Sequence, residues 1–489
     1  MTAIPIVLFW TLALHGLFSR KPMLVYLFFA TMPVGAFAVI PTSLTGGLTF
    51  TPTPVIALLL IARTFSDRDG PAAFLALALL PHRLMLLTLF WAAAAVTTLF
   101  MPRLFAGKVM VVPIRGIVSA AAPLQPSAQN VSQFAYLSIA ILSVFAFARI
   151  LRSADIRQHA LKAMCLGGGI AVLTGLLDFA SQFLPITPAL EPFRTASYAL
   201  LTDIEVLGGK RVVGLMPEAS SYGGQCLAFL SALYFYRRAI ADGRVREIYV
   251  PVVLCLLVVC AWLSTSTGTY VGVAVFFLVA ALEWFLRINA DERSGAVHRR
   301  TLGAETTAAV SLFILIGILA IVQPHIFDPV QSMVQRMILE KQESTSFTER
   351  GMWRTVATAA LSATHGLGVG LGGTRSSSSV IAIFACTGII GGLLFYGFVL
   401  QCLLRQVADR EPEQRILLSA FRFSFLPTFA ISLMVGDAIF GGLTAFGLGL
   451  ATALSGQTNP RSVRWYDYQS SESSRSNDCL RRSMSQMNA

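Results

Sequence analysis

Runs of apolar residues long enough to cross a bilayer recur along almost the whole chain, and short polar segments separate them. A spanning helix needs about 17–25 predominantly apolar residues. Segments that meet or approach this length lie near 4–18, 23–39, 50–63, 85–101, 132–150, 160–183, 219–236, 248–263, 269–287, 302–323, 379–403, 416–434 and 439–455. The pattern predicts an all-α polytopic membrane protein with about 12 transmembrane helices, to within one or two. Two long polar segments interrupt it, 185–218 and 324–378, and a third, 102–131, is rich in Ala, Pro and Ser. After Ser455 the chain is rich in Ser, Arg and Asn and nearly free of aliphatics. Such a segment cannot bury a core, so 1–455 reads as one integral membrane domain and 456–489 as a disordered cytoplasmic tail.

Charge sets the expected orientation. Arg149 to Arg152, Arg237 to Arg246, Arg293 to Arg300 and Arg405 to Arg415 are short loops dense in Arg, which the positive-inside rule assigns to the cytoplasm. The loops 102–131, 185–218 and 324–378 then share the extracytoplasmic side. Only 13% of the residues are charged, against roughly 25% in soluble domains, so the apolar runs are not the core of a soluble fold. A formal net charge of +12 raises nucleic acid as a partner, but the basic residues flank apolar helices and build no basic fold, which excludes it. The cysteines sit mostly in apolar runs without a Cys-x-x-Cys pair, and no His/Asp/Glu spacing fits a metal. No metal or other cofactor is expected. The apolar N-terminus lacks a basic leading region and a small-residue cleavage site, and reads as a first transmembrane helix.

Polar chemistry concentrates in the two long loops. The first closes with Lys210-Arg211-Val-Val-Gly214-Leu-Met-Pro217-Glu218-Ala-Ser220-Ser221-Tyr222 and opens the next helix. Glu218 suits a helix N-terminus electrostatically, so a simple capped helix competes with a catalytic carboxylate. The second loop carries Glu349-Arg350 before Trp353, then His365 and the glycine run Gly366, Gly368, Gly370, Gly372 and Gly373, then Arg375 and four serines. Such a backbone can cradle phosphate oxygens at Gly370 and Gly372, and it can equally make a turn. A guanidinium grips phosphate with two parallel bonds and keeps its charge at any relevant pH. Arg211, Arg350 and Arg375 with the single carboxylate of Glu218 therefore suit a diphosphate-bearing lipid, with Lys210 as a further cation. His365 is a second candidate base. Asp178, inside an apolar run, is either functional or paired with a neighbouring helix. Arg422 and Asp437 read as structural pairs, His325 as isolated, and Ser264 to Gly268 as a tight polar turn.

These pieces resemble the O-antigen ligase and O-antigen polymerase superfamily of the bacterial envelope. The resemblance covers roughly 200–400 through Arg211-Val-Val-Gly-Leu-Met-Pro-Glu-Ala-Ser-Ser, Ser264-Thr-Ser-Thr-Gly, Glu349-Arg350, Gly368-Val-Gly-Leu-Gly and Gly388-Ile-Ile-Gly391. It implies a glycosyltransferase of the membrane-embedded, lipid-sugar-using class in the bacterial inner membrane, its active site facing the periplasm. The implied substrates are a polyprenyl-diphosphate-linked oligosaccharide donor and acceptor. A chain-length regulator and a flippase of the same pathway are the implied protein partners. The arginines of the two large loops carry the function by this resemblance. The ligase branch places a His where this chain has Ser377, and His365 lies twelve residues too early to replace it. That departure favours a polymerase of O-antigen, capsule or exopolysaccharide, the last being most similar over the glycine run. A ligase, or a non-enzymatic flippase, is the alternative.

Overall fold

The computed structural model describes residues 3–455, apart from 42–43, 46–48, 115–119, 199, 203, 207–208, 408–411 and 437, and apart from 290–344, where only isolated positions between 302 and 318 are described. His325, Asp437, the Arg293–Arg300 loop and the tail 456–489 thus lie outside the described residues, as does most of the expected 302–323 span.

Helices dominate, in the order α1 Ala3–Phe18, α2 Met23–Thr31, α3 Pro52–Phe65, α4 Gly70–Leu79, α5 Met85–Leu104, α6 Ala128–Ile150 and α7 Ala154–Ala180. Then come α8 Ala219–Tyr236, α9 Val250–Leu263, α10 Thr267–Ile288, α11 Thr345–Ala363, α12 Ser379–Leu404, α13 Pro412–Ser432 and α14 Gly442–Leu454. Among the described residues six helices are long and apolar enough to cross a membrane: α5, α6, α7, α9 with its preceding turn, α10 and α12. The chain is therefore a membrane-embedded all-α protein. The regions 102–131 and 185–218 add two-residue antiparallel hairpins, Met110–Val111 with Ala122–Pro123 and Glu205–Val206 with Gly209–Lys210, and short helical turns over Thr187–Leu190 and Glu191–Phe193.

Three departures from the hydropathy reading have clear causes. The expected span 23–39 stops at Thr31. Pro33 cannot donate to a helical ladder, and the irregular backbone beyond it pairs instead with the 185–218 segment: Ala36 donates to the Leu215 carbonyl at 2.8 Å and accepts from Thr195 at 3.0 Å. Pro71 in the first turn starts α4, a helix the pattern did not predict, just after the polar Asp67–Asp69 turn. Within the expected loop 324–378, residues 345–363 form a helix of weak hydrophobicity, α11.

Small residues let the helices approach closely, which is how packing is gained where lipid removes the hydrophobic contrast. α14 lies on α6, and a Cβ on Gly449 would meet the Cβ of Phe147 at 2.5 Å. A Cβ on Gly167 of α7 would meet the Phe29 carbonyl at 2.6 Å. The same seam holds a cluster of fully buried rings, with Phe28–Phe147 centroids 5.1 Å apart and Phe147–Phe446 5.6 Å, both edge to face.

The two ends of the bundle differ in charge. Glu218 precedes α8 and Arg375 precedes α12, whereas Arg237 and Arg238 follow α8 and Arg405 follows α12. At that opposite end a buried network joins the helices: Arg237 pairs with Glu305 at 2.5 Å, Arg287 with Glu283 at 2.8 Å, and Arg238 with Glu283.

Candidate functional site

The site is built on an ion pair in the first long loop. Asp178, near the C-terminus of α7, is fully buried. Its Oδ2 accepts from the amides of Val213 at 2.7 Å and Gly214 at 3.0 Å. Its Oδ1 accepts from Arg194 at 2.7 Å, and Arg194 also donates to the Gly214 carbonyl at 3.0 Å. Gly214 sits at φ +57, and a Cβ there would lie 3.0 Å from the Tyr222 ring, so the turn requires glycine. Asp178 is thus spent on pairing, but with a loop arginine rather than a neighbouring helix. Arg194 is the residue that sequence reasoning missed. Its only signal was a lone Arg close after a buried acid.

This bracket fixes Arg211 two residues upstream. Arg211 reaches the Ser264–Gly268 turn between α9 and α10: Nε donates to Thr265 Oγ1 at 3.0 Å and Nη2 to the Thr265 carbonyl at 3.1 Å. The polar turn is therefore the seat of a candidate cation. Thr265 itself adopts a left-handed φ of 44 to present these atoms.

Glu218 occupies the N-cap position of α8 without capping the helix through its side chain. Its Oε1 instead accepts from the hydroxyls of Ser220 and Ser221, the latter at 3.4 Å. The carboxylate is thus oriented by two hydroxyls and not consumed by backbone amides, which counts against the plain helix-cap reading.

Arg375 is delivered from the second loop. Its amide donates to the Val112 carbonyl at 2.7 Å and its Nη2 to the Ile114 carbonyl at 2.6 Å. Its guanidinium carbon stacks 4.9 Å from the centroid of Trp353, one turn beyond Arg350 on α11. Ser377 donates to the Arg350 carbonyl at 3.0 Å, tying α11 to the same segment. Electrostatics links the pieces. Burial lowers the Arg211 pKa, Arg350 adds to the lowering, and Glu218 and Tyr270 oppose it. Burial likewise lowers the Arg375 pKa, against the raising influence of Glu218 and Glu349. Glu218 therefore lies within electrostatic reach of arginines from both loops, and Arg211 within reach of Arg350. Partly dehydrated guanidiniums gain strongly from an anionic ligand.

Beneath Arg375 lies a cavity of about 1190 Å³ between α2, α3, α6, α8, α13 and α14. Its lining is mostly apolar, with Gln129, Tyr136, Gln225 and Thr428 among the polar exceptions. Gln225, Ala228, Ala232 and Tyr236 form its α8 wall. Glu218 precedes this wall as the N-cap residue of the same helix.

Of the two roles its composition allowed, the glycine run shows close backbone packing at a turn. The amides of Val369 and Gly370 donate to the carbonyls of Ala385 and Cys386 at 2.8 and 3.0 Å. Ile389 donates to the Gly366 carbonyl at 2.9 Å, across the break in α12 where Gly388 leaves helical geometry at φ 76. A Cβ on Gly370 would strike Pro102 at 2.9 Å, and one on Gly372 the Gln129 carbonyl at 2.6 Å. Gly370 and Gly372 are thus packed against α5 and the start of α6. The run seats backbone against backbone, and that close contact carries Arg375 to its place. His365 is exposed on a left-handed turn at the end of α11, next to the Gly366–Ile389 contact. Lys210 lies half-buried in its hairpin, and its carbonyl accepts from Gln182 at 3.2 Å. Arg422 donates to the Arg405 carbonyl at the far end of the bundle, away from this group.

Compared with known proteins, the chain matches no family model and no curated protein.

Proposed function

We propose that this membrane protein is a polysaccharide polymerase, joining polyprenyl-diphosphate-linked repeat units on the periplasmic side of the bacterial inner membrane. Its full complement would be about 12 spans. The observation that carries the reading is that Glu218 bears electrostatically on both Arg211 and Arg375, that Arg350 bears on Arg211, and that Arg375 lines a large apolar cavity. A diphosphate on a long lipid needs both halves of that arrangement. Cations meet the head, and an apolar slot admits the chain. The ordered motifs shared with the O-antigen ligase and polymerase superfamily support the same reading.

In this mechanism a hydroxyl oxygen of the incoming unit attacks the anomeric carbon of the growing chain. The bond from that carbon to the diphosphate oxygen breaks, and the polyprenyl diphosphate leaves with the electron pair. Arg211 and Arg375 stabilise the charge that develops on the leaving group, from preorganised positions held by Thr265 and Trp353. Glu218 accepts the hydroxyl proton. The activation resides in the lipid-diphosphate bond.

The test is Arg211→Ala and Glu218→Gln in cells with matched protein levels, with long-chain polysaccharide read on gels. Loss of long chains in both variants is the expected result. Persistence in both removes these residues from the mechanism. Deletion separates the polymerase from the ligase alternative, because polymerase loss leaves single repeats attached whereas ligase loss leaves none. Ser377, standing where ligases carry a His, favours the polymerase.

A further inference from the structure

The cavity beside Arg375 has a graded lining. α6 leads inward from the Arg375 end, where a Cβ on Gly372 would meet the Gln129 carbonyl at 2.6 Å. Down its cavity face stand Gln129, Gln133 and Tyr136, and then Ile139, Ala140 and Ser143. α8 repeats the order, with Gln225 first and Ala228, Ala232 and Tyr236 deeper. Gln133 and Gln225 each lie between one and two turns inside the start of their helix. Three zones follow from the outer end: a cation, a belt of neutral polar groups, and an apolar depth. Arg375 is the one charged residue in the lining, and among the described residues no carboxylate lines it.

The belt holds idle donors. The hydroxyls of Ser132, Tyr136 and Thr428 are spent on the carbonyls of Gln129, Thr49 and Phe425. The carboxamides of Gln129, Gln133 and Gln225, each half-buried, have no hydrogen-bond partner among the described residues. The ordinary explanation is that polar side chains near a membrane interface meet water. It accounts for the belt but not for the space beneath it. At about 1190 Å³ the cavity exceeds the roughly 300–1,000 Å³ of a small-molecule pocket. Its depth offers water few partners, the Ser143 hydroxyl being spent on the Ile139 carbonyl.

We propose that this cavity seats one glycerophospholipid, with its phosphate at Arg375, its ester carbonyls on the glutamine belt and its acyl chains in the apolar depth. Such a lipid carries its groups in that order, anion, neutral acceptors, then hydrocarbon. Each carboxamide brings two N–H donors to the carbonyls. A polyprenyl diphosphate has no acceptor between its phosphates and its chain, so the donor of the proposed reaction leaves the belt unused. The inference goes beyond that reaction and stands without it. Where both hold, the phospholipid competes with the donor for the slot.

The test compares two lipids that differ only at the carbonyls: diacyl phosphatidylglycerol, and its ether-linked dialkyl analogue with chains of the same length. The full chain, delipidated in detergent, is offered an equal mixture, and retained lipid is counted by native mass spectrometry. Wild type is expected to prefer the ester lipid by about tenfold, as two neutral hydrogen bonds imply. Gln133→Leu with Gln225→Leu should hold the two lipids equally. Arg375→Gln should weaken both lipids and keep the preference. Equal retention of ester and ether lipids by the wild type overturns the proposal, and that comparison needs no variant to fold. A preference that survives in the folded double variant overturns it too, as does undiminished retention by Arg375→Gln. No arm depends on polysaccharide, so a failure of the polymerase reading leaves these outcomes unchanged.

Discussion

Asp178→Ala removes the acceptor for three donors at once: Arg194 and the amides of Val213 and Gly214. The Arg194 side chain, only 4% exposed, is left with the exposed Glu191, 3.9 Å away, in place of its buried counter-ion. Breaking a buried pair from one side costs about 3–5 kcal/mol, and an orphaned buried amide adds on the order of 1–3 kcal/mol. Water entering the loop offsets part of this. Even a net loss of about 3 kcal/mol corresponds to roughly a hundredfold faster amide exchange by local opening. Hydrogen exchange read by mass spectrometry on peptides covering 209–216 measures it directly. Asp178→Asn with Arg194→Met is the informative control. The Asn oxygen still accepts from the two amides, and the stranded cation is gone, so exchange should return most of the way to the wild-type rate. On the proposed function, polymer formation should recover with it, Asp178 then serving to hold the Arg211 segment in position. If the double variant exchanges as fast as Asp178→Ala, the ion pair is not what orders this loop. A double variant that is ordered but inactive would instead make Asp178 a participant in chemistry.

Three further outcomes follow from the packing. Gly388→Ala would force a side chain into φ 76 and bring a Cβ to 2.6 Å from the Leu367 carbonyl, costing on the order of 2 kcal/mol or more, and size-exclusion chromatography should show loss of folded protein. Glu283→Ala strands Arg238 and leaves Arg287 to Glu305, both arginines being at most 3% exposed, so the melting temperature should fall well below that of the Glu283→Gln variant, which keeps an acceptor. Trp353→Ala removes the stacking partner of Arg375, a contact worth about 0.5–1 kcal/mol, and should raise the KM for the lipid-linked donor severalfold while leaving the melting temperature nearly unchanged.

The alternation of apolar runs with polar segments was enough to establish a membrane protein built of helices. It also gave the near-correct ends of α5, α6, α8, α9, α10 and α12, because those ends are fixed locally by where hydrophobicity stops. Arg211, Glu218, Arg350 and Arg375 became candidates for a related reason: in so apolar a chain, polar groups crowded into two loops stand out. Their mutual placement was not legible. Nothing local predicts that Arg211 seats on the Thr265 turn, that Asp178 reaches back to Arg194, or that Trp353 lies under Arg375, since each joins residues brought together only by helix packing. The glycine run shows the limit most plainly. Composition allowed either a phosphate cradle or a turn, and only the close approach of Gly368 to Gly388, where a Cβ would meet a backbone nitrogen at 2.6 Å, decided that these amides serve the chain itself. Local sequence fixes which groups are polar and where helices end, whereas which of those groups meet depends on contacts between distant segments that no local pattern encodes.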